Sequence, residues 1–405
     1  NGGGADANFG QKPFKFPPPD GFQPLNAANV RPETVIARPD QYVGVTTYTG
    51  TGSVRSVNVG LKPDLIWIKN RTTSSWHVIN DSVRGPNKAL YSNQTYGENQ
   101  TASGPVLGSV SSFNNDGFSL AVDPDSNGNN GWNNSGDPIV AWTWKAGGNS
   151  NTYNIDDVGY ASASAAGLTA GTITPTGASV GTKQGFSIIG YTGTDNTSDT
   201  FSHGLSQKPD FAIFKNRSQS GDDWIVYHSS QGATKRGKLN LTNAFDAQTS
   251  QFNDTEPTSS LFTIGTFDNI NKLNNNYISY IWHDVPGLQK FGRYQGTGNA
   301  DGPFIELGFR PSVIMLKNDT NAGNNWWIID SERSTYNGQY AALFPNTNGA
   351  ENNTSAVAVD FLSNGFKCRG TDGGQNPGSG NSFVVYAAWA EAPSFNLYGG
   401  QSNAR

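Results

Sequence analysis

Cysteine is almost absent from this 405-residue chain: one residue, Cys368, which cannot close a disulfide within the chain. The fold therefore does not rest on disulfide staples, and Cys368, inside a strand-like run, reads as a small core residue. Charge is also scarce. Only 15% of residues are Asp, Glu, Lys or Arg, and the net charge is -5. No basic cluster is long enough to act as an electrostatic footprint for nucleic acid, so no nucleic-acid partner is expected. No apolar run approaches the roughly 18 residues that span a bilayer as a helix, so no membrane insertion is expected. Low Ala, Leu, Glu and Lys content excludes a coiled coil or long helical bundle. The opening Asn1-Gly-Gly-Gly-Ala-Asp6 carries neither Met nor a targeting pattern and reads as a piece of something longer.

Glycine (49 residues) and aromatics (12%, with ten Trp) are abundant, which argues against disorder. A five-step pattern occurs three times. It begins with an aromatic strand ending in a Gly-Thr turn at Tyr48, Tyr191 and Tyr294. A turn ending in Pro63, Pro209 or Pro311 then leads into an apolar strand, with the strings GLKPDLIWIKNR, GLSQKPDFAIFKNR and GFRPSVIMLKND. A third strand runs from Trp76 to Asn80, Trp224 to His228 and Trp326 to Asp330. A polar turn with a short strand follows, around Phe118, Phe262 and Phe366, and an aromatic closing strand ends each unit.

The steps are β-branched or aromatic and are bounded by Gly, Asn, Asp or Pro, which is the strand signature. The expected fold class is all-β: three tandem antiparallel β-sandwich domains, jelly-roll or lectin-like, after an extended N-terminal arm. The expected boundaries are an arm over 1–40, sandwiches over 41–147, 184–287 and 288–398, a linker rich in Ser, Ala, Gly and Thr over 148–183, and a tail over 399–405. The only helix candidate, Ala161 to Ala166, lacks an apolar stripe.

Catalytic signatures are weak. The four histidines, His77, His203, His228 and His283, stand beside strands with no HExxH pattern, and nothing reads as a nucleophile elbow or a phosphate loop. A paired-carboxylate site needs groups about 5–9.5 Å apart, which sequence does not reveal. One loop suits a hard cation: Asp123, Asp125 and Asn127 followed by Gly128 match the start of a calcium loop. The usual Glu is replaced by Asn134, and a solvated hairpin loop is the competing reading. Trp132, with Asn133 and Asn134, is the candidate glycan contact, because a loop Trp can stack on a sugar while Asn side chains bond its hydroxyls. Packing against a neighbouring domain or subunit competes with that role. The other tryptophans read as sandwich core, and alternation along the strand points one of Trp326 and Trp327 outward. In the repeated pairs Lys69-Asn70, Lys215-Asn216 and Lys317-Asn318, Asn reads as a turn starter and Lys as a solvent-facing strand end.

The string FGQKPFKFPPPDGFQPLN, from Phe9, resembles the last strand and exit of SPRY-type domains in tailed-phage fibre proteins. GLKPDLIWIKNRTTSSWHVINDSVRG, SSFNNDGFSL, IVAWTWKAGG and DFLSNGFK resemble the tandem β domains of marine and cyanobacterial phage tail-fibre-like proteins. The resemblance implies a structural virion protein of a tail fibre or surface appendage, non-enzymatic and without a cofactor unless the Asp123 loop holds calcium. The implied partners are other copies of the chain as a homotrimer, other virion proteins, and a host-surface glycan. A secreted or cell-surface adhesin or lectin, and more remotely a polysaccharide-degrading enzyme, are the alternatives.

Overall fold

The computed structural model describes residues 35–101, 104–105, 109–122, 131–378, 380–395 and 401–404. The fold is all-β and built from sheets that are antiparallel except where Tyr153–Ile155 pairs in parallel with Gly177–Gly181, with helix confined to single turns such as Thr249–Phe252 and Asp268–Asn271. Residues 161–167 make a turn.

Each unit contributes one large sheet with the same antiparallel order: opening, closing, middle, return and edge strand. In unit 1 these are Val43–Thr49, Pro138–Trp144, Leu65–Asn70, Val78–Asp81 and Leu90–Tyr91. In unit 2 they are Phe186–Thr192, Asn276–Trp282, Phe211–Asn216, Ile225–His228 and Lys235–Lys238. In unit 3 they are Gln289–Gln295, Phe383–Pro393, Phe309–Asn318, Trp326–Asp330 and Ala342–Leu343. A smaller sheet of two or three strands belongs to each unit, centred on Gly117–Leu120, Leu261–Ile264 and Gly365–Cys368.

The middle strands are buried from end to end in units 1 and 2, and from Pro311 onward in unit 3, because both faces are covered. Alternation divides their side chains between two cores. One face of each large sheet meets its own small sheet: Ile66 and Ile68, Ala212 and Phe214, and Ile314 and Leu316 lie in three separate clusters, one per unit. The other face of all three sheets feeds a single cluster, to which the middle strands give Leu65 and Trp67, Phe211 and Ile213, and Val313 and Met315. Three sandwiches therefore close around one common axis instead of following one another as beads. At the axis, Trp144, Trp282 and Trp389 sit edge-to-face in a closed triangle, with ring centroids 6.4, 5.3 and 5.8 Å apart. None of the three indole N–H groups has a hydrogen-bond partner among the described residues, so burial and ring contact hold the triad. The space left at the axis is an apolar cavity of about 10 Å³, no more than one water needs.

Several expectations change here. Residues 148–183 are not a linker. Tyr153–Ile155, Val158–Tyr160 and Gly177–Gly181 extend the unit 2 sheet beside its opening strand, and Leu168, Ile173 and Val180 enter the unit 2 core. A Ser- and Gly-rich composition hid the few apolar residues that anchor it. Trp76 is not the counterpart of Trp224 and Trp326. Register pairs Ile68 with Val78, Phe214 with Ile225 and Leu316 with Trp327, so His77 matches Trp224 and Trp326. Trp326 and Trp327 are both buried, one towards the axis and one in the unit 3 core. Of the N-terminal arm, the Phe9 to Pro32 stretch lies outside the described residues. Its described end does not simply follow unit 1: Val35 and Ile36 donate to the Pro286 carbonyl between units 2 and 3, and Ile36 enters the shared core.

Removing an axial ring should therefore damage all three units together. Trp389→Ala is expected to cost about 3–5 kcal/mol, the range for a buried large-to-small change. Chemical denaturation followed by tryptophan fluorescence measures it.

Candidate functional site

The glycan candidate proves to be a structural clamp. Trp132 and Asn133 are fully buried, and Trp132 packs in the unit 1 core. Tyr48 donates to the Trp132 carbonyl (2.7 Å), as Tyr191 does to Ile270 (2.8 Å) and Tyr294 to Gln375 (2.6 Å). The Asn133 Oδ1 accepts the Thr51 N–H at 3.0 Å, and Asn271 and Asn376 hold Thr194 and Thr297 at 2.9 and 2.7 Å. The same residues thus fasten the Gly-Thr turn in every unit. A Cβ on Gly50, Gly193 or Gly296 would meet a backbone oxygen of the clamping segment at 2.0–2.4 Å, which explains the glycine at this step. The Trp132 ring is not presented to a sugar, and the half-buried Asn134 bonds Asp137. A loop rich in Asn and Gly suggested exposure, but the Tyr-to-carbonyl bond draws the Trp inward.

Asp123, Asp125 and Asn127 lie outside the described residues. Among the described residues, no group of three or more His, Cys, Asp or Glu is placed to hold a metal ion. Cys368 is buried, and all four histidines are buried. Burial pushes the His203 and His228 imidazoles down to about 4. One G-x-S-x-G string runs from Gly177 to Gly181. Its Ser179 lies within a strand, takes the Gly147 N–H at 2.8 Å and donates to buried Asp64 at 3.0 Å. It is not on the strand-to-helix turn that a nucleophile elbow requires.

The lysine expectation is also overturned. Lys69, Lys215 and Lys317 are fully buried. Each follows the last apolar residue that its middle strand sends to the axis. Lys69 donates to the Asn70 and Thr73 carbonyls (2.6 and 3.3 Å), Lys215 to Asp222 (2.6 Å) and to Thr95 of unit 1 (3.0 Å), and Lys317 to Asn324. Burial lowers Lys69 and Lys317 to about 7 and Lys215 to about 8. The Asn partners do start turns: Asn70 takes the Thr72 N–H at 3.0 Å and Asn318 takes that of Thr320 at 3.1 Å.

Several well-buried charges stand at the seams between units. From unit 1 to unit 2, Glu98 N–H meets the Arg217 carbonyl and the side chains pair at 2.8 Å, while Trp224 Nε1 donates to Tyr91 and Tyr280 to Asp81. From unit 3 to unit 1 the pattern returns: Glu351 N–H meets the Arg71 carbonyl, the side chains pair at 2.9 Å, and Trp142 Nε1 donates to Asp330. Asp81 and Asp330 each hold a fully buried arginine, Arg84 at 2.5 Å and Arg333 at 2.6 Å. The third seam uses different residues at the same places. Phe245 N–H meets the Asp319 carbonyl, Trp326 Nε1 donates to Lys238, and His228 Nε2 bonds the Tyr386 carbonyl at 3.1 Å. The sequence showed the strand repeats but not these pairs, because their partners lie in loops that share no motif.

An open cleft of about 280 Å³ beside the unit 2–unit 3 junction contains Asp284, Lys290 and Glu306. Burial, then the neighbouring Asp210 carboxylate, raises Asp284 to about 7. Both carboxylates are occupied with the junction turn, Asp284 accepting Phe291 N–H and Asp210 accepting that of Asp284, each at 2.8 Å.

The chain belongs to the family described as a domain of unknown function, DUF7483, whose model matches residues 38–393. One family model thus runs through all three units. No curated protein and no solved structure matches the chain.

Two outcomes follow. Asp330→Ala leaves Arg333 buried beside Glu351 alone and the Trp142 N–H without its acceptor, so a loss of about 3–5 kcal/mol is expected in denaturant titrations. The lysines make stability depend on pH. Their folded values of about 7 to 8 lie below the ordinary 10.5, so the unfolded chain binds more protons between pH 7 and pH 10. Stability from this source is fully present only above the unfolded value and is lost as pH falls towards 7. Above pH 10 the buried tyrosines, raised by burial, reverse the trend. Lys69→Met should remove about one proton of uptake per unfolding in that window, measured from denaturant midpoints at several pH values.

Proposed function

We propose that the chain is a non-enzymatic structural body of a tailed-phage surface appendage, most simply a tail fibre. One observation carries the reading: three sandwiches are locked about a dry aromatic axis, and the buried ionisable groups hold strands, turns and seams. Several residues of types that could supply catalysis are engaged in that work. Lys69, Lys215 and Lys317 cap strand ends, Asp81 and Asp330 hold arginines, and Ser179 with Asp64 fastens the start of unit 2. A body of this kind resists shear and proteolysis without disulfides, as an exposed appendage must. The resemblance of the repeated strings to phage tail-fibre-like proteins points the same way.

Within this reading the chain sits on the virion, contacts other virion proteins and assembles with copies of itself. The fold already supplies a three-fold arrangement inside one chain, so self-assembly is carried by surfaces away from the axis. Gold-labelled antibody against the purified chain should decorate tails or fibres of particles encoding it. Intact particles lacking the chain would overturn the appendage reading. Sedimentation of the purified chain should give a trimer, and a stable monomer at micromolar concentration would remove self-assembly from it.

A further inference from the structure

The three units differ most usefully in the loop after the return strand. Register places Leu90 of unit 1 and Leu343 of unit 3 at the same point, opposite the matching Ile79 and Ile328. Counted from the matching Arg84 and Arg333, the unit 3 loop is four residues longer. It reads Ser334-Thr335-Tyr336-Asn337-Gly338-Gln339-Tyr340. Insertions in one copy of a repeat map to loops, often on the binding face.

This loop holds two of the three exposed aromatic side chains among the described residues, Tyr336 at 80% and Tyr340 at 42%; the third is Phe304. The loop is pinned in place. Asn337 donates to the Phe361 carbonyl at 2.9 Å and accepts the Phe361 N–H at 2.8 Å. Gln339 and Val359 exchange both backbone hydrogen bonds, at 2.7 and 3.1 Å. The Tyr340 ring lies against Gly338, where a Cβ would stand 3.4 Å from the ring. At the base, Arg333 and Asp330 are locked in the buried seam. The backbone that carries the two rings is thus already ordered, which lowers the cost of binding.

We infer that Tyr336 and Tyr340 form a binding site for a neutral pyranose glycan. A pyranose offers an apolar C–H face to a phenol ring and hydroxyls to polar neighbours. Here the neighbours are Ser334, Thr335 and Asn337, and no charged residue falls between Ser334 and Ala341. Two rings on a short polar loop suit one or two sugar units, whereas a stable protein interface covers about 800 Å² on each partner around an apolar centre. The inference rests on the reading that the chain is displayed on a surface that meets a host.

The test uses the full chain on an array of immobilised neutral gluco-, galacto-, manno- and N-acetylglucosamine oligosaccharides, with affinities measured for those retained. The wild type should bind at least one class. Tyr336→Ala and Tyr340→Ala should each weaken it roughly tenfold, the scale of one aromatic contact, while Tyr336→Phe, which keeps the ring, should stay within about threefold. Thermal melting should be unchanged in the variants, since surface substitutions rarely disturb stability. No retention of any oligosaccharide by the wild type, or retention that the alanine variants leave intact, would overturn the inference. Failure of the glycan array with virions still labelled refutes this site alone, and the reverse result refutes the appendage reading alone.

Discussion

The edge-to-face triangle of Trp144, Trp282 and Trp389 is the contact on which the rest of the molecule depends. Each ring ends the inward face of a closing strand, and each closing strand is hydrogen-bonded on both sides within its sheet. Three sheets are thereby brought to one line, and the inward side chains of nine strands and more fall into a single cluster. Area buried against a neighbouring unit replaces area that would otherwise face water, so the middle and closing strands are covered on both faces. The seams follow from that geometry. Once the sheets meet, the turns after the middle strands lie against the loops of the next unit, and Arg217–Glu98 and Arg71–Glu351 pair there. Buried pairs of this kind add little net stability, but they penalise any arrangement that leaves one partner unpaired, and so they fix the order of the units.

Much of the fold was legible in the sequence because strand formation is local. The β-branched and aromatic runs, the turn glycines and the threefold repeat located the opening, middle, return and closing strands of each unit, but neither the edge strands nor the strands within 148–183. The all-apolar middle strands signalled burial on both faces, but the sequence did not say what covered the second face. The covering partner is another unit more than a hundred residues away, and no local period encodes it. The same limit explains Lys69, Lys215 and Lys317, which end their strands as solvated lysines do but meet carbonyls of turns folded over them. It explains Trp132 as well, whose Asn-rich surroundings suggest a surface loop while a tyrosine from the opening strand, 84 residues earlier, binds its carbonyl. Tyr336 went unremarked because its exposure is visible only when three copies are superposed by register and one proves longer.

Function divides along the same lines. What is repeated three times, including the Tyr–carbonyl bond, the Asn clamp, the buried lysine and the axial tryptophan, serves the fold. What occurs once is where binding is to be sought, and the pinned aromatic loop of unit 3 is the clearest such departure. The family model's unbroken span over residues 38–393 accords with a body whose units do not stand alone.

Differential scanning calorimetry of the whole chain tests this interdependence most directly. A shared core predicts one transition in which the calorimetric and van't Hoff enthalpies agree. Two or three resolved transitions, with a van't Hoff enthalpy well below the calorimetric one, would show that the units fold independently and would contradict the account.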